Sequence, residues 1–222
     1  MNRTKPVIFA ICFFACSSTF AQTYENLLSG DRLDHWQKQN GDAVGEGWNI
    51  ENGVLHLSSR GGNIVTRELY GDFELWFEFR TTAEGNNGIK YRVKQYDKSW
   101  LGLEYQVLDD DAFPNLTRDH LTAALYDLVI PKPAETRLNA RDEFNVGKIR
   151  VENHRTRHWV NGQLMIDQRL VGPEWKTVVA NSKFKNRTNF GENALGRIMI
   201  TDHGKETWYR NVFIRRLNCQ CN

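Results

Sequence analysis

Alternation with a period of two runs through most of the chain. From Phe73 to Arg80, the residues Phe73, Leu75, Phe77 and Phe79 fall on one side and Glu74, Trp76, Glu78 and Arg80 on the other. Successive side chains of a strand point to opposite faces, so this stretch predicts a half-buried strand with the four apolar residues toward a core. Shorter runs of the same kind recur in GVLHL, NGIKYRV, GLEYQVL, VGKIRVE, TRHWV, QLMID, RIMIT and WYRNVFIRR, with Gly, Asn, Asp or Pro clusters between them. Asn161-Gly162, set between two such runs, predicts a tight hairpin because both positions tolerate positive φ. Many short strands punctuated by turns predict an all-β antiparallel sandwich. No long amphipathic helical pattern, internal repeat or low-complexity linker interrupts them. The least regular stretch, Asp109 to Asp142, reads as long loops, which in a compact sandwich often carry function.

The amino terminus changes this picture. Arg3 and Lys5 precede the apolar run PVIFAICFFAC, and small residues lead to TFA before Gln22. This is the pattern of a secretory signal peptide over residues 1–21. The run is shorter than the roughly 20 apolar residues that a membrane span needs, and no later stretch comes near that length. The expectation is therefore an exported protein, periplasmic or secreted, with one domain over 22–217 and a tail over 218–222. A lipid anchor at Cys16 is the rival reading, which Phe13 and Phe14 fit badly. Without the leader, basic and acidic residues balance at 27 each. No one-signed basic excess remains, so a nucleic-acid partner is not expected. Cys12 and Cys16 belong to the leader, leaving Cys219 and Cys221 at the extreme tail, so a disulfide framework is excluded. Those two cysteines read as a frayed tail rather than as a redox pair or metal clip. About 200 residues holding all seven tryptophans suffice for one core.

Candidate chemistry lies on the polar sides of the strands. Lys90 and Arg92 alternate with Ile89, Tyr91 and Val93, while Glu104 and Gln106 alternate with Leu103, Tyr105 and Val107. If these consecutive strands pair, cations lie beside a carboxylate and an amide, as either a solvated ion-paired face or a site. His154 and His158 are four apart, which brings side chains together on a helix but not in a strand-turn-strand context. No Cys or His cluster has zinc spacing. The glycines of GDAVGEGWN lack the strand-before, helix-after setting of a nucleotide loop, and no serine sits in a nucleophile elbow. The residues assign no cofactor, and a divalent cation stays open.

The blocks NLLSGDRLDHWQ, WNIENGVLHL, YGDFELWFEFR, GNNGIKYRV, LEYQVLDDD, TAALYDLVIPKP, HWVNG and GRIMITDHGKETWYRNVFIRRL, in that order, resemble the 3-keto-disaccharide hydrolase family. The resemblance covers nearly all of the chain after the leader. It implies a concanavalin/laminin-G-like jelly-roll sandwich of two curved antiparallel sheets, with a sugar site on the concave one. The family's Gly-Asn-x-Gly-Ile-x-x-Arg falls on Gly85, Asn86, Gly88, Ile89 and Arg92. Its Glu-x-Gln-x-x-Asp falls on Glu104, Gln106 and Asp109, and its Asp-His-Gly on Asp202, His203 and Gly204. Thr201 stands where the family often has Gln, which removes an amide donor and points to an altered substrate preference.

The implied activity is cleavage of 3-keto-glycosides, a hydrolase or lyase reaction on a carbohydrate substrate. A ketone at carbon 3 acidifies the hydrogen on carbon 2 and opens an elimination that breaks the bond at carbon 1. Water adding to the product would complete a net hydrolysis. The resemblance implies His203, Glu104 and Arg92 as catalytic residues. His203 suits a base, since imidazole titrates near neutral pH, and Glu104 is the rival. Arg92 and Lys90 suit a developing oxyanion. Lys90, Asn87, Gln106, Asp109, Tyr126, His158, Trp100 and Asp202 complete the expected substrate site. The alternative is a non-catalytic lectin-like module that stacks sugars on Trp100 and Tyr105. Neither reading assigns an oligomeric state.

Overall fold

The computed structural model describes residues 23–58, 60–133 and 138–217. The leader, with Cys16, and the cysteines of the tail lie outside the described residues. Among those described, thirteen strands form two antiparallel sheets. They are β1 (Glu25–Asn26), β2 (Trp36–Lys38), β3 (Trp48–Glu51), β4 (Val54–Leu57), β5 (Ile64–Thr66), β6 (Phe73–Thr81), β7 (Asn86–Tyr96), β8 (Ser99–Leu108), β9 (Asn145–Glu152), β10 (Arg155–Val160), β11 (Gln163–Arg169), β12 (Arg197–Ile200) and β13 (Thr207–Arg216). One sheet runs β11-β10-β9-β6-β13-β4-β3 with β1 also on β13, and the other runs β2-β5-β12-β7-β8. This is a jelly-roll sandwich, as the strand pattern and the resemblance implied.

The core lies between the sheets. Phe73, Leu75, Phe77 and Phe79 are all buried, on the side the alternation of β6 assigns them. Phe77 meets Tyr105 of the opposite sheet edge-on at 5.1 Å, and Phe73 meets Tyr91 at 6.1 Å. Gly147 on β9 leaves room for Phe77, since a β-carbon there would lie 2.3 Å from its ring. Polar ties between the sheets are also buried. The Tyr91 hydroxyl lies 2.7 Å from Thr156 Oγ1 and 2.9 Å from His158 Nε2, and the Tyr209 hydroxyl donates to Asn87 Oδ1 at 2.6 Å. Both tyrosine hydroxyls thus have a partner, without which the burial of each would cost on the order of 1–3 kcal/mol.

The hairpin at Asn161-Gly162 joins β10 to β11, with φ of 47° and 84° at the two residues. One element escaped the pattern: a short helix, α1 (Pro173–Ala180), with Pro at its start and Trp175 and Val179 buried. Only Trp175 and Val179 of its eight residues are buried, so its periodicity is weak. The loops between Asp109 and Asp142 hold two single 3-10 turns, Asp110–Ala112 and Arg118–His120. Among the described residues no helix is long and apolar enough to cross a membrane.

Candidate active site

Strands β7 and β8 pair so that Lys90 stands opposite Glu104 and Gly88 opposite Gln106. Side chains alternate across a sheet, so with Ile89, Tyr91, Leu103 and Tyr105 in the core, Gly88, Lys90, Glu104 and Gln106 share the outward face. Lys90 Nζ lies 3.5 Å from Glu104 Oε2, and the two side chains are 18% and 7% exposed. Gln106 Nε2 donates to Asn86 Oδ1 at 3.1 Å. Gly88 makes room for the carboxylate: a β-carbon there would lie 2.2 Å from Glu104 Oε1.

The edge of β8 is covered by the loop that carries Tyr126. Ala123 N donates to Gln106 O at 2.9 Å and Tyr126 N to Glu104 O at 3.1 Å, so the loop pairs with the strand and closes its free edge. Tyr126 is thereby fixed beside Glu104. Burial raises its phenol pKa, and the Glu104 carboxylate raises it further. The Lys183 ammonium lies over the Tyr126 ring, 3.9 Å from its centre, and Lys183 N donates to Asp127 Oδ2 at 2.7 Å. His120 meets the same ring edge-on at 4.6 Å. Its Nδ1 lies 3.1 Å from Asp119 and its Nε2 3.4 Å from Asp127. Asp119, His120 and Asp127 are the one group of at least three such ligands, among the described residues, close enough to hold a metal.

The other expected residues separate into three sets. Trp100 is half-buried on the outward face, against the cluster of Val65, Val93 and Met199. Thr201 reaches the Glu104 neighbourhood by main chain, its N donating to Gly88 O at 3.0 Å. Two residues on, His203 is exposed and makes no hydrogen bond or ion pair with another described residue. Asp202 shapes that turn: its carboxylate accepts from Gly62 N and Gly204 N, both at 2.7 Å.

Arg92 is not on this face. The register of β7 and β8 shifts between Tyr91 and Lys94, and Arg92 takes a φ of 51°. The extra residue of this bulge resets the alternation, sending Val93 outward and Arg92 inward. Arg92 is 2% exposed and donates from Nη1 to Gly191 O at 2.9 Å. Burial lowers its pKa. His158 is likewise a core residue, 0% exposed, between the Tyr91 hydroxyl and Ala123 O. Burial brings its pKa down to about 4. Asn87 is also fully buried, donating to Thr201 O and accepting from Tyr209, so it fixes the end of β12 rather than meeting a ligand. Tyr105 is fully buried too and offers no stacking surface.

Asp109 stands apart from Glu104. It accepts from Glu84 N at 2.9 Å and Arg141 Nε at 2.8 Å. It lines a cavity of about 910 Å³ at one end of the sandwich, walled by Phe79, Asp111, Arg141 and Met165 among others, to which Glu104 does not contribute. The polar and aromatic groups around Glu104, namely Lys90, Tyr126 and Lys183, therefore gather outside that cavity.

Lys90 and Glu104 thus stand on one sheet of the jelly roll, and two loops carry Tyr126 and Lys183 beside them. Residues 23–215 match the model of the 3-keto-alpha-glucoside-1,2-lyase-like domain, and the chain belongs to that family. A 3-keto-disaccharide hydrolase of Bacteroides thetaiotaomicron is 28% identical, over 89% of this chain and 80% of its own. A solved Parabacteroides distasonis structure assigned as a glycosyl hydrolase is 26% identical with a TM-score of 0.80, covering 88% of this chain and 94% of that one. The Bacillus licheniformis β-glucanase shares the fold alone, with a TM-score of 0.53 at 12% identity, over 90% of this chain and 100% of its own.

Proposed function

We propose that this protein is an exported enzyme that cleaves 3-keto-glycosides by elimination across carbons 1 and 2. The observation that carries the reading is the Lys90–Glu104 pair on the outward face of the sheet, beside a glycine that admits the carboxylate. Family membership supports the substrate class. Glu104 takes the carbon-2 proton. The electron pair of that bond moves toward the ketone, and the resulting enolate oxygen is stabilised by the Lys90 ammonium. An interaction that strengthens as charge develops is the kind that accelerates chemistry. As the enolate collapses, carbon 1 and carbon 2 become doubly bonded and the bond from carbon 1 to the aglycone oxygen breaks. Water adding across the new double bond gives the net hydrolysis product.

Glu104 is assigned the base, rather than His203, because it is held in place. Its carboxylate lies 3.5 Å from the Lys90 ammonium, while His203 is exposed and unanchored. Export rests on the leader pattern of residues 1–21.

The test is incubation of the purified protein with a 3-keto-glucoside and with its unoxidised parent, following sugar release. Turnover of the ketone alone, slowed by deuterium at carbon 2, is the expected result. Equal turnover of both, with no isotope effect and no exchange of the label, would overturn the mechanism. Binding of both without turnover would instead support the lectin-like reading.

A further inference from the structure

Loss of the bond at carbon 1 leaves an oxygen that must depart as an anion or gain a proton. Glu104 takes the carbon-2 proton and Lys90 stays with the enolate oxygen, so neither is assigned that step. An ammonium group remains on the same face. Lys183 follows α1 in a loop far from Glu104 in sequence, and two contacts bring the loop to the site. Its amide is fastened to Asp127 Oδ2, and its ammonium rests on the ring of Tyr126. The same Tyr126 is tied through its own amide to the Glu104 carbonyl. One aromatic residue thus joins the carboxylate and the second ammonium.

The two lysines differ in their commitments. Lys90 is engaged by Glu104 at 3.5 Å. Among the described residues, Lys183 forms no ion pair with a carboxylate; its ammonium is held by Tyr126 and, at 5.2 Å, by Phe184. An aromatic face attracts an ammonium but accepts no conventional hydrogen bond, so the N–H donors of Lys183 are left for a ligand. Lys183 is also exposed to solvent.

Building on the elimination proposed above, we infer that Lys183 is the proton donor to the departing aglycone oxygen. When the bond between carbon 1 and that oxygen breaks, its electron pair stays on oxygen and takes a proton from the Lys183 ammonium, leaving a neutral amine. Glu104 has by then gained the carbon-2 proton, and exchange with water returns both groups to their starting states. Desolvation at this site lowers the pKa of Lys183, which makes it a better acid than a free lysine. Its charge also complements the oxygen as negative charge gathers there.

The experiment compares Lys183→Met and Lys183→Arg with the wild-type protein on two 3-keto-glucosides, one with an alkyl aglycone and one with a 4-nitrophenyl aglycone. Nitrophenolate leaves without a proton; an alkoxide does not. For the alkyl substrate, both variants should lose on the order of 100- to 10,000-fold in kcat, the usual size of an acid-base contribution. For the nitrophenyl substrate the loss should stay below about tenfold. With the alkyl substrate, the variants should continue to exchange the carbon-2 hydrogen with deuterated solvent although cleavage has stopped. A merely structural role would move neither the aglycone dependence nor the ratio of exchange to cleavage.

Equal losses on both aglycones, full activity of Lys183→Met on the alkyl substrate, or rescue by Lys183→Arg would overturn the assignment. Arginine keeps the charge but is a far weaker acid, so its rescue would mean that charge alone is required. If the wild-type protein cleaves neither ketone, the proposed function itself fails, and that is read before any variant is compared.

Discussion

Gly88 stands so close to the Glu104 carboxylate that a β-carbon would lie 2.2 Å from Oε1. Its φ is not in the left-handed region, so the constraint is one of space and not of backbone conformation. Gly88→Ala should therefore fold normally while pushing the carboxylate from its place beside Lys90. A displacement of about 1 Å at a reacting group can cost about 100-fold in rate, so a loss of that order in kcat is expected with little change in melting temperature. Unaltered turnover by Gly88→Ala would show that the position of the carboxylate is not critical.

Phe77 tests the core. It is fully buried, packs edge-on against Tyr105 and lies over Gly147. Phe77→Ala should destabilise the fold by about 3–5 kcal/mol, measured from urea midpoints at constant m. An unchanged midpoint would contradict the sandwich packing.

The contrast between Phe77 and Arg92 explains what could be read from the chain alone. Strict alternation over Phe73 to Phe79 has one solution once a core exists, and the strand adopts it. The same rule applied to β7 puts Lys90 and Arg92 on one face. Lys90 obeys it, but the bulge after Tyr91 inserts a residue, and nothing in the local pattern of polar and apolar residues marks it. His158 carried a usable signal: Thr156, His158 and Val160 alternate with Arg155, Arg157 and Trp159, which places the histidine on the core side of β10. Lys183 and His120 carried none. They reach Tyr126 through loop hydrogen bonds to aspartates, and such contacts leave no periodicity. Glu104 was legible because a strand, a cross-strand cation and a family motif coincide on it.

Arg92 then provides a test of its inward position. Its guanidinium donates to Gly191 O, and no described residue satisfies Nε. Arg92→Met removes a buried charge but also the donor to that carbonyl. The melting temperature should shift, while kcat on a 3-keto-glycoside changes by less than about tenfold, below the usual size of a catalytic acid-base contribution. A loss of about 100-fold or more at an unchanged melting temperature would return Arg92 to the active site.

His158 gives the pH dependence a definite sign. In the folded protein its pKa is down to about 4, because burial disfavours the imidazolium, while in the unfolded chain it titrates near 6.5. Between about pH 4 and 6.5 the unfolded chain therefore holds a proton that the folded protein does not, and stability rises with pH across that window. Above the window both states are neutral at this residue and its contribution is constant. The difference between the plateaus is on the order of 3 kcal/mol, in favour of the neutral side. His158→Gln retains groups able to meet the Tyr91 hydroxyl and Ala123 O but does not titrate. Other groups titrate in the same range, so the informative quantity is the wild-type stability minus that of the variant at each pH, measured from urea midpoints. It should climb from about pH 4 to 6.5 and then level off. A difference that stays flat would mean that His158 has the same affinity for protons in both states, contrary to its burial between the sheets. Because its ring faces Tyr91 and Tyr105 rather than Glu104, the same substitution should leave the pH profile of kcat unmoved wherever the protein remains folded.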